Sequence, residues 1–299
     1  MPCIHCAHCT VVSDVGNKSA VFPLQLLGFD VDVVNSVHFS NHTGYKEGFE
    51  GDVLKGDQLR AIMAGLKRND LLLEIGHVLT GYIGSESFLE AVIDVIKTVR
   101  ESGAKIRFVC DPVLGDKGKF YVPTELVALY REKVIPLADV LTPNQFEVEQ
   151  LTGIAIKTMA DAKRACRELH ELGPSLVFIT SMELMGNSGG EDEGMAILAS
   201  ERSADGTATA AWRINCPILP GHFTGTGDLC AALLLAHTAR EANNIPAVME
   251  KVINTMFAVL QRTVEAAGDS VKSRELKLIQ SKDIIEDPPQ RFKAERIIE

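Results

Sequence analysis

The chain has 299 residues, of which 46% are hydrophobic and 23% charged, and its formal net charge is −10. This composition excludes a disordered, collagenous or coiled-coil chain, and no run nears the ~20 apolar residues of a membrane helix. The acidic balance argues against nucleic acid as a partner, which calls for a basic face, but not against nucleotides, whose phosphates need only local backbone dipoles.

The first ten residues hold Cys3, Cys6 and Cys9 with His5 and His8. Thiolate and imidazole are zinc ligands, but no second ligand pair follows at a useful spacing, so an exposed segment without metal is the expectation. The segment lacks a charged n-region and a long apolar h-region, so it is not a secretory signal, and the cytoplasm is the default. Seven cysteines in all, with Cys110, Cys166, Cys216 and Cys230 among apolar neighbours, read as thiols of a reducing compartment.

Further along, periodicity switches between helix and strand. A helix is expected over Ser19–Leu27 with Gly28 as its stop, then a Val-rich strand over Phe29–Val37. Asp57 is placed to cap a helix with Leu59, Ile62, Met63 and Leu66 on its apolar face. His77–Thr80 is a short buried strand, and Phe88, Leu89, Val92, Ile93, Ile96 and Val99 line a helix that stops near Gly103. Ile106–Cys110 is a strand, Leu126 to Val134 a helix, and Val140–Leu141 a strand. Cys166 and Leu169 sit on a helix ending near Gly173, before a strand at Leu176–Thr180. Gly186–Glu193 reads as a loop, Met195–Ala199 and Thr209–Ile214 as an antiparallel pair, and helices start near Thr226 and Pro246. The tail from Asp287 to Glu299 is charged, holds two prolines and is expected to be extended.

Strands separated by helices imply βαβ units and an α/β fold with a mainly parallel sheet. No composition break marks a linker, so residues 15–286 read as one domain, flanked by an atypical segment 1–14 and the tail 287–299. Ligands in such sheets sit at the carboxyl ends of the strands.

Three stretches there carry chemistry. In Gly225-Thr226-Gly227-Asp228, two glycines bracket a Thr before a long apolar helix. Free N–H groups at a helix start favour an anion, and a first-turn carboxylate beside that anion suits a general base acting on a hydroxyl. The plainer alternative is an acid that only stabilises the helix dipole. In Thr142-Pro143-Asn144-Gln145-Phe146-Glu147, Asn144 and Glu147 offer hard oxygen ligands suited to Mg²⁺, or form a capping box, or both. Asp111 ends a strand, and the Gly-rich charged run from Pro112 to Gly118 reads as a lid over phosphates or a turn.

Together with Asn35 to Tyr45, Leu79 to Tyr82 and Gln280-Ser281-Lys282, these stretches resemble the ribokinase-like small-molecule kinases, and within them most closely the pyridoxal kinases, from Val15 to the end. The Phe39-Ser40-Asn41-His42-Thr43-Gly44-Tyr45 run is the most specific part. The resemblance implies a three-layer αβα sandwich and phosphoryl transfer from ATP to the 5′-hydroxyl of pyridoxal, pyridoxine or pyridoxamine. Asp228 would be the base, with Gly225, Thr226 and Gly227 as the anion hole. Thr142, Asn144 and Glu147 would handle Mg²⁺, or another divalent cation, and the triphosphate. Asp111, Thr142 and Thr180 would form a monovalent-cation (K⁺) site. Tyr121 and Ser181 would lie along the nucleotide, and Thr43 and Tyr82 would hold the pyridine ring. Members are homodimers, so a homodimer is expected.

The N-terminus departs from the family. Where the family has a strand ending in Ser-His, this chain has His8-Cys9, and Ser13 stands where the family has a Gly. Met1–Thr10 lacks strand-like alternation, so the first strand is expected to be missing or altered. The alternatives are a hydroxymethylpyrimidine kinase, against which the Phe39–Tyr45 run speaks, and a catalytically impaired partner that binds or dimerises.

Overall fold

The computed structural model describes residues 2–184, 194–203, 205–206 and 209–298, with Pro2 and Ile4–Cys9 described in their backbone only. The loop expected at Gly186–Glu193 lies outside the described residues, as do the side chains of His5, Cys6, His8 and Cys9.

Successive residues of a strand point to opposite faces of its sheet, and here the two sets are sorted cleanly. Strands β1 (Pro2–Thr10), β2 (Asp30–Phe39), β3 (Gly51–Val53), β4 (His77–Thr80), β5 (Arg107–Cys110), β8 (Val140–Leu141), β9 (Leu176–Met182), β10 (Gly194–Arg202), β11 (Thr209–Pro217) and β12 (Glu295–Arg296) form one sheet. The intervening β6 (Gly115–Asp116) and β7 (Lys119–Phe120) make a separate hairpin. Val78, Phe108, Leu141, Val177 and Leu198 join one buried cluster, while Leu79, Val109, Val140, Phe178 and Ile197 join the other. Strands buried on both sides read as continuous apolar runs, which is why β4, β5, β8 and β9 are visible in the sequence.

The first cluster is covered by α2 (Gly56–Arg68), α3 (Glu86–Glu101), α4 (Leu126–Leu129), α5 (Gln145–Thr152) and α6 (Met159–Leu172). The second is covered by α1 (Asn17–Leu26), α7 (Thr226–Arg240) and α8 (Ile245–Glu265), with Ile284 and Ile285 of α9 (Lys282–Glu286). The result is a three-layer αβα sandwich.

Sheet order is β12-β11-β10-β9-β8-β5-β4-β1-β2-β3. The pairings from β9 through β8, β5, β4 and β1 to β2 are parallel, and β3, β10, β11 and β12 add antiparallel edges. The segment expected to be a missing or altered strand is therefore a nine-residue interior strand between β4 and β2. It pairs with β2 from Pro2↔Asp30 to Thr10↔Phe39 and with β4 from Cys3↔His77 to Cys6↔Thr80. Flanking strands on both sides supply hydrogen-bond partners, and that tertiary demand overrides weak intrinsic propensity. The tail is likewise part of the sheet, through β12 on β11.

Other local readings are refined. Lys55, not Asp57, occupies the N-cap position of α2; its backbone N–H donates to Gln58 Oε1 at 2.7 Å, its side chain makes no cap hydrogen bond, and Asp57 sits in the first turn. Ile62 of its expected apolar face is exposed, whereas Leu59 and Met63 are buried. The helix read from Leu126 to Val134 is three short pieces, α4, a π-helical turn Tyr130–Val134 and a 3₁₀ turn Ile135–Leu137. Pro136 cannot donate to a continuing α ladder.

The loops after β1 and β4, neighbours in the sheet, lead to α1 and α3 on opposite faces. Strand order reverses there, and the carboxyl ends of the strands open a crevice.

Candidate active site

Helix α7 starts at this crevice. Its N-cap is Gly225, held at φ +84°. A Cβ there would lie 2.5 Å from the Asp14 carbonyl oxygen and 2.6 Å from Ser19 Oγ. Only glycine fits both the left-handed backbone and the contact. Thr226 and Gly227 follow, their first-turn N–H groups without a partner inside the helix, and line a cleft of about 770 Å³. Thr180 and Ser181 at the end of β9 and Asp116 of the hairpin line the same cleft, whose far wall is apolar, with Phe223, Met256 and Phe257.

Asp228 is buried in the first turn of α7. Its Oδ2 accepts the Gly16 backbone N–H at 2.7 Å, so the loop after β1 aims this carboxylate. A Cβ on Gly227 would lie 3.4 Å from Asp111 Oδ2, which puts a second carboxylate against the same helix start. Burial, the Glu147 carboxylate and then the Asp228 carboxylate push the Asp111 carboxyl well above its ordinary range, and the Thr142 hydroxyl partly offsets them.

Glu147 is the third acid. Its Oε1 accepts the Leu114 N–H at 2.9 Å, and its Oε2 accepts the Asn144 N–H at 2.9 Å. Burial pushes it up to about 8 despite these donors. Asn144 caps α5, accepting Glu147 N–H at 2.9 Å, and its Nδ2 donates to the Gly115 carbonyl at 2.8 Å. The capping box is thus present, and the same pair anchors the β6–β7 hairpin over the cleft. Phe120 packs edge-on against Phe146 below that hairpin. Lys117, at its tip with φ +46°, reaches Glu183 at 3.4 Å.

The structure thus gathers Asp111, Thr142, Asn144, Glu147, Thr180, Ser181 and Gly225 to Asp228 at one end of the sheet. Tyr82 is half-buried at the end of β4, its carbonyl accepting from Ser36 Oγ at 2.8 Å. Thr43, on the turn after β2, and Tyr121, after β7, are exposed. Among the described residues no cluster of three His, Cys, Asp or Glu is arranged as a ready metal cage. Cys110, Cys166, Cys216 and Cys230 are buried thiols, and burial pushes Cys216 up to about 11 and Cys230 up to about 12. Among the described residues no helix is long and apolar enough to cross a membrane. Sequence reading missed Gly16 as the donor to Asp228, because a backbone N–H leaves no residue-type signature.

The chain matches the family described as phosphomethylpyrimidine kinase over residues 30–263. It is 48% identical over 292 residues to a pyridoxal kinase of Arabidopsis thaliana, covering 96% of this chain and 92% of that one. The chain belongs to the pyridoxal kinase family. It is 43% identical over 289 residues to the human pyridoxal kinase, covering 92% of this chain and 91% of the other. A solved pyridoxal kinase from Leishmania donovani in complex with ADP and pyridoxamine superposes with a TM-score of 0.91 at 31% identity, covering 99% of each chain. The family resemblance read from the motifs and the αβα sandwich both hold.

Proposed function

We propose that the chain transfers a phosphoryl group from ATP to the 5′-hydroxyl of pyridoxal, pyridoxine or pyridoxamine. The observation that carries this reading is Asp228, buried in the first turn of a glycine-capped helix whose next residues line the large cleft. Phosphoryl transfer is mostly positioning and charge stabilisation. Asp228 accepts the hydroxyl proton as the oxygen attacks in line, while the N–H groups of Gly225, Thr226 and Gly227 take the charge on the migrating group. Tyr121 and Ser181 lie along the nucleotide, and Thr43 and Tyr82 hold the pyridine ring, Tyr82 by stacking.

Cations belong to this reading. The donors are oxygen only, and the buried acids Asp111 and Glu147 both resist ionising, which is the donor set of a hard cation. Thr142, Asn144 and Glu147 would hold Mg²⁺ with the triphosphate, and Asp111, Thr142 and Thr180 a monovalent ion such as K⁺. When bound, such ions offset charge on the phosphate oxygens. The chain acts as one kinase domain, wider than residues 15–286 because β1 and β12 belong to its sheet, and we place it in the cytoplasm as a homodimer with one site per subunit.

The test is a purified-protein assay with ATP, Mg²⁺ and K⁺, comparing kcat/KM for the three vitamers with that for hydroxymethylpyrimidine. Formation of pyridoxal 5′-phosphate with preference for the vitamers is expected. No phosphorylated vitamer, or a preference for the pyrimidine, overturns the reading.

A further inference from the structure

Two loops from opposite parts of the chain meet at Glu275. This residue is 6% exposed and follows the 3₁₀ turn Val271–Arg274. Its Oε1 accepts the Tyr45 phenol at 2.6 Å, and its Oε2 accepts the Asp14 backbone N–H at 3.2 Å. Tyr45 ends the Thr43-Gly44-Tyr45 turn after β2, and Asp14 lies two residues before Gly16, whose N–H holds Asp228. One carboxylate thus spans the turn assigned to the pyridine ring and the loop that aims the base.

The turn is otherwise tied at its inner end. His42 N–H donates to Ser13 Oγ at 3.1 Å, Gly44 N–H donates to His42 Nδ1 at 3.0 Å, and the His42 and Tyr45 rings lie 4.8 Å apart. Glu275 supplies the outer tie. A carboxylate taking one donor on each oxygen makes charge-assisted bonds that are shorter and stronger than neutral ones.

We propose that Glu275 is a positioning residue for the vitamin, setting the Thr43–Tyr45 turn relative to the Asp14–Gly16 loop. This rests on the pyridoxal kinase reading above. The nucleotide cleft is lined by other segments, β9, β11, α7 and α8, so the effect falls on the vitamin side.

The experiment measures KM for pyridoxal and for ATP separately in wild type, E275A, E275Q and Y45F, with hydrogen exchange over residues 41–48 in each. E275A and Y45F are expected to raise KM for pyridoxal about tenfold, the loss of a hydrogen bond to a charged group, with KM for ATP unchanged. E275Q recovers part of that loss, because its amide oxygen can accept the Asp14 N–H while its NH2 donates to the Tyr45 oxygen, and exchange over 41–48 quickens in E275A and Y45F. Equal rises in both KM values, or unchanged exchange over 41–48, overturn the proposal. A wild type that phosphorylates no vitamer sinks the assigned function instead, and the exchange measurement still decides whether Glu275 tethers the turn.

Discussion

Gly16 and Asp228 are 212 positions apart in sequence, yet the backbone N–H of one donates to Oδ2 of the other at 2.7 Å. The proposed base is therefore oriented by a loop outside its own helix. Gly225 completes the same junction from below, packed on Asp14 and Ser19.

Asp228→Asn keeps an oxygen that can accept the Gly16 N–H but cannot take a proton. We expect kcat to fall by about 10²–10⁴-fold, the usual worth of a positioned general base, with ADP affinity unchanged. Steady-state kinetics beside calorimetric ADP titration checks this. A variant with near-normal kcat would remove Asp228 from the chemistry.

Gly225→Ala forces a side chain into the left-handed region and against the Asp14 carbonyl. Left-handed backbone alone costs about 1–3 kcal/mol for a non-glycine residue. A lowered Tm is the expected outcome of thermal denaturation, together with loss of activity as the α7 start shifts. An unchanged Tm contradicts the geometry.

The buried acids give the stability of the cation-free chain a definite pH slope. Glu147 rises from an ordinary value of 4.5 to about 8, and Asp111 moves in the same direction. Between those values the folded chain holds protons that the unfolded chain has released, so stability falls as pH increases from 4.5 toward 8. Thermal melts across that window, without Mg²⁺ or K⁺, should show a falling Tm, and Glu147→Gln should flatten the slope. Adding Mg²⁺ and K⁺ should raise Tm more at pH 8 than at pH 5.5. A flat profile in the wild type would show that these carboxyls ionise normally.

Asn254, buried on α8, accepts the N–H groups of Arg291 and Phe292 at 2.8 Å each and donates to the Phe292 carbonyl at 3.0 Å. Arg291 also stacks 4.5 Å over Phe257, a wall of the cleft. Asn254→Ala leaves those amides unpaired, at a cost of about 1–3 kcal/mol. Trypsin should then cut at Arg291, Lys293 and Arg296 much faster than in wild type. Equal cleavage rates would show that the tail is held by other contacts.

The parts of the molecule legible in sequence are those governed by local rules. The Gly-Thr-Gly-Asp start of α7 and the Asn144–Glu147 box announce themselves through residue types that few other settings demand. Buried strands such as His77–Thr80 show as short apolar runs. What escaped was decided at a distance. Met1–Thr10 has no alternation of its own, and the place of Pro2–Thr10 comes from β2 and β4 on either side. Glu275 carries no motif, since its partners Asp14 and Tyr45 are 261 and 230 residues away. Lys55 holds the α2 N-cap position ahead of Asp57, its backbone N–H bonded to the Gln58 side chain, which a count of favoured cap residues does not anticipate.

The place of β1 has a consequence for processing. In the sheet order, β2 and β3 reach the other strands through β1. Shearing off that first strand strands the Thr43 hairpin as an orphaned flap and bares one edge of β4, while the strands from β5 to β12 keep their sheet neighbours. The seat of the vitamin turn therefore hangs on the chain's first ten residues, whereas the start of α7 and the cleft it lines are built from strands on the other side of that seam.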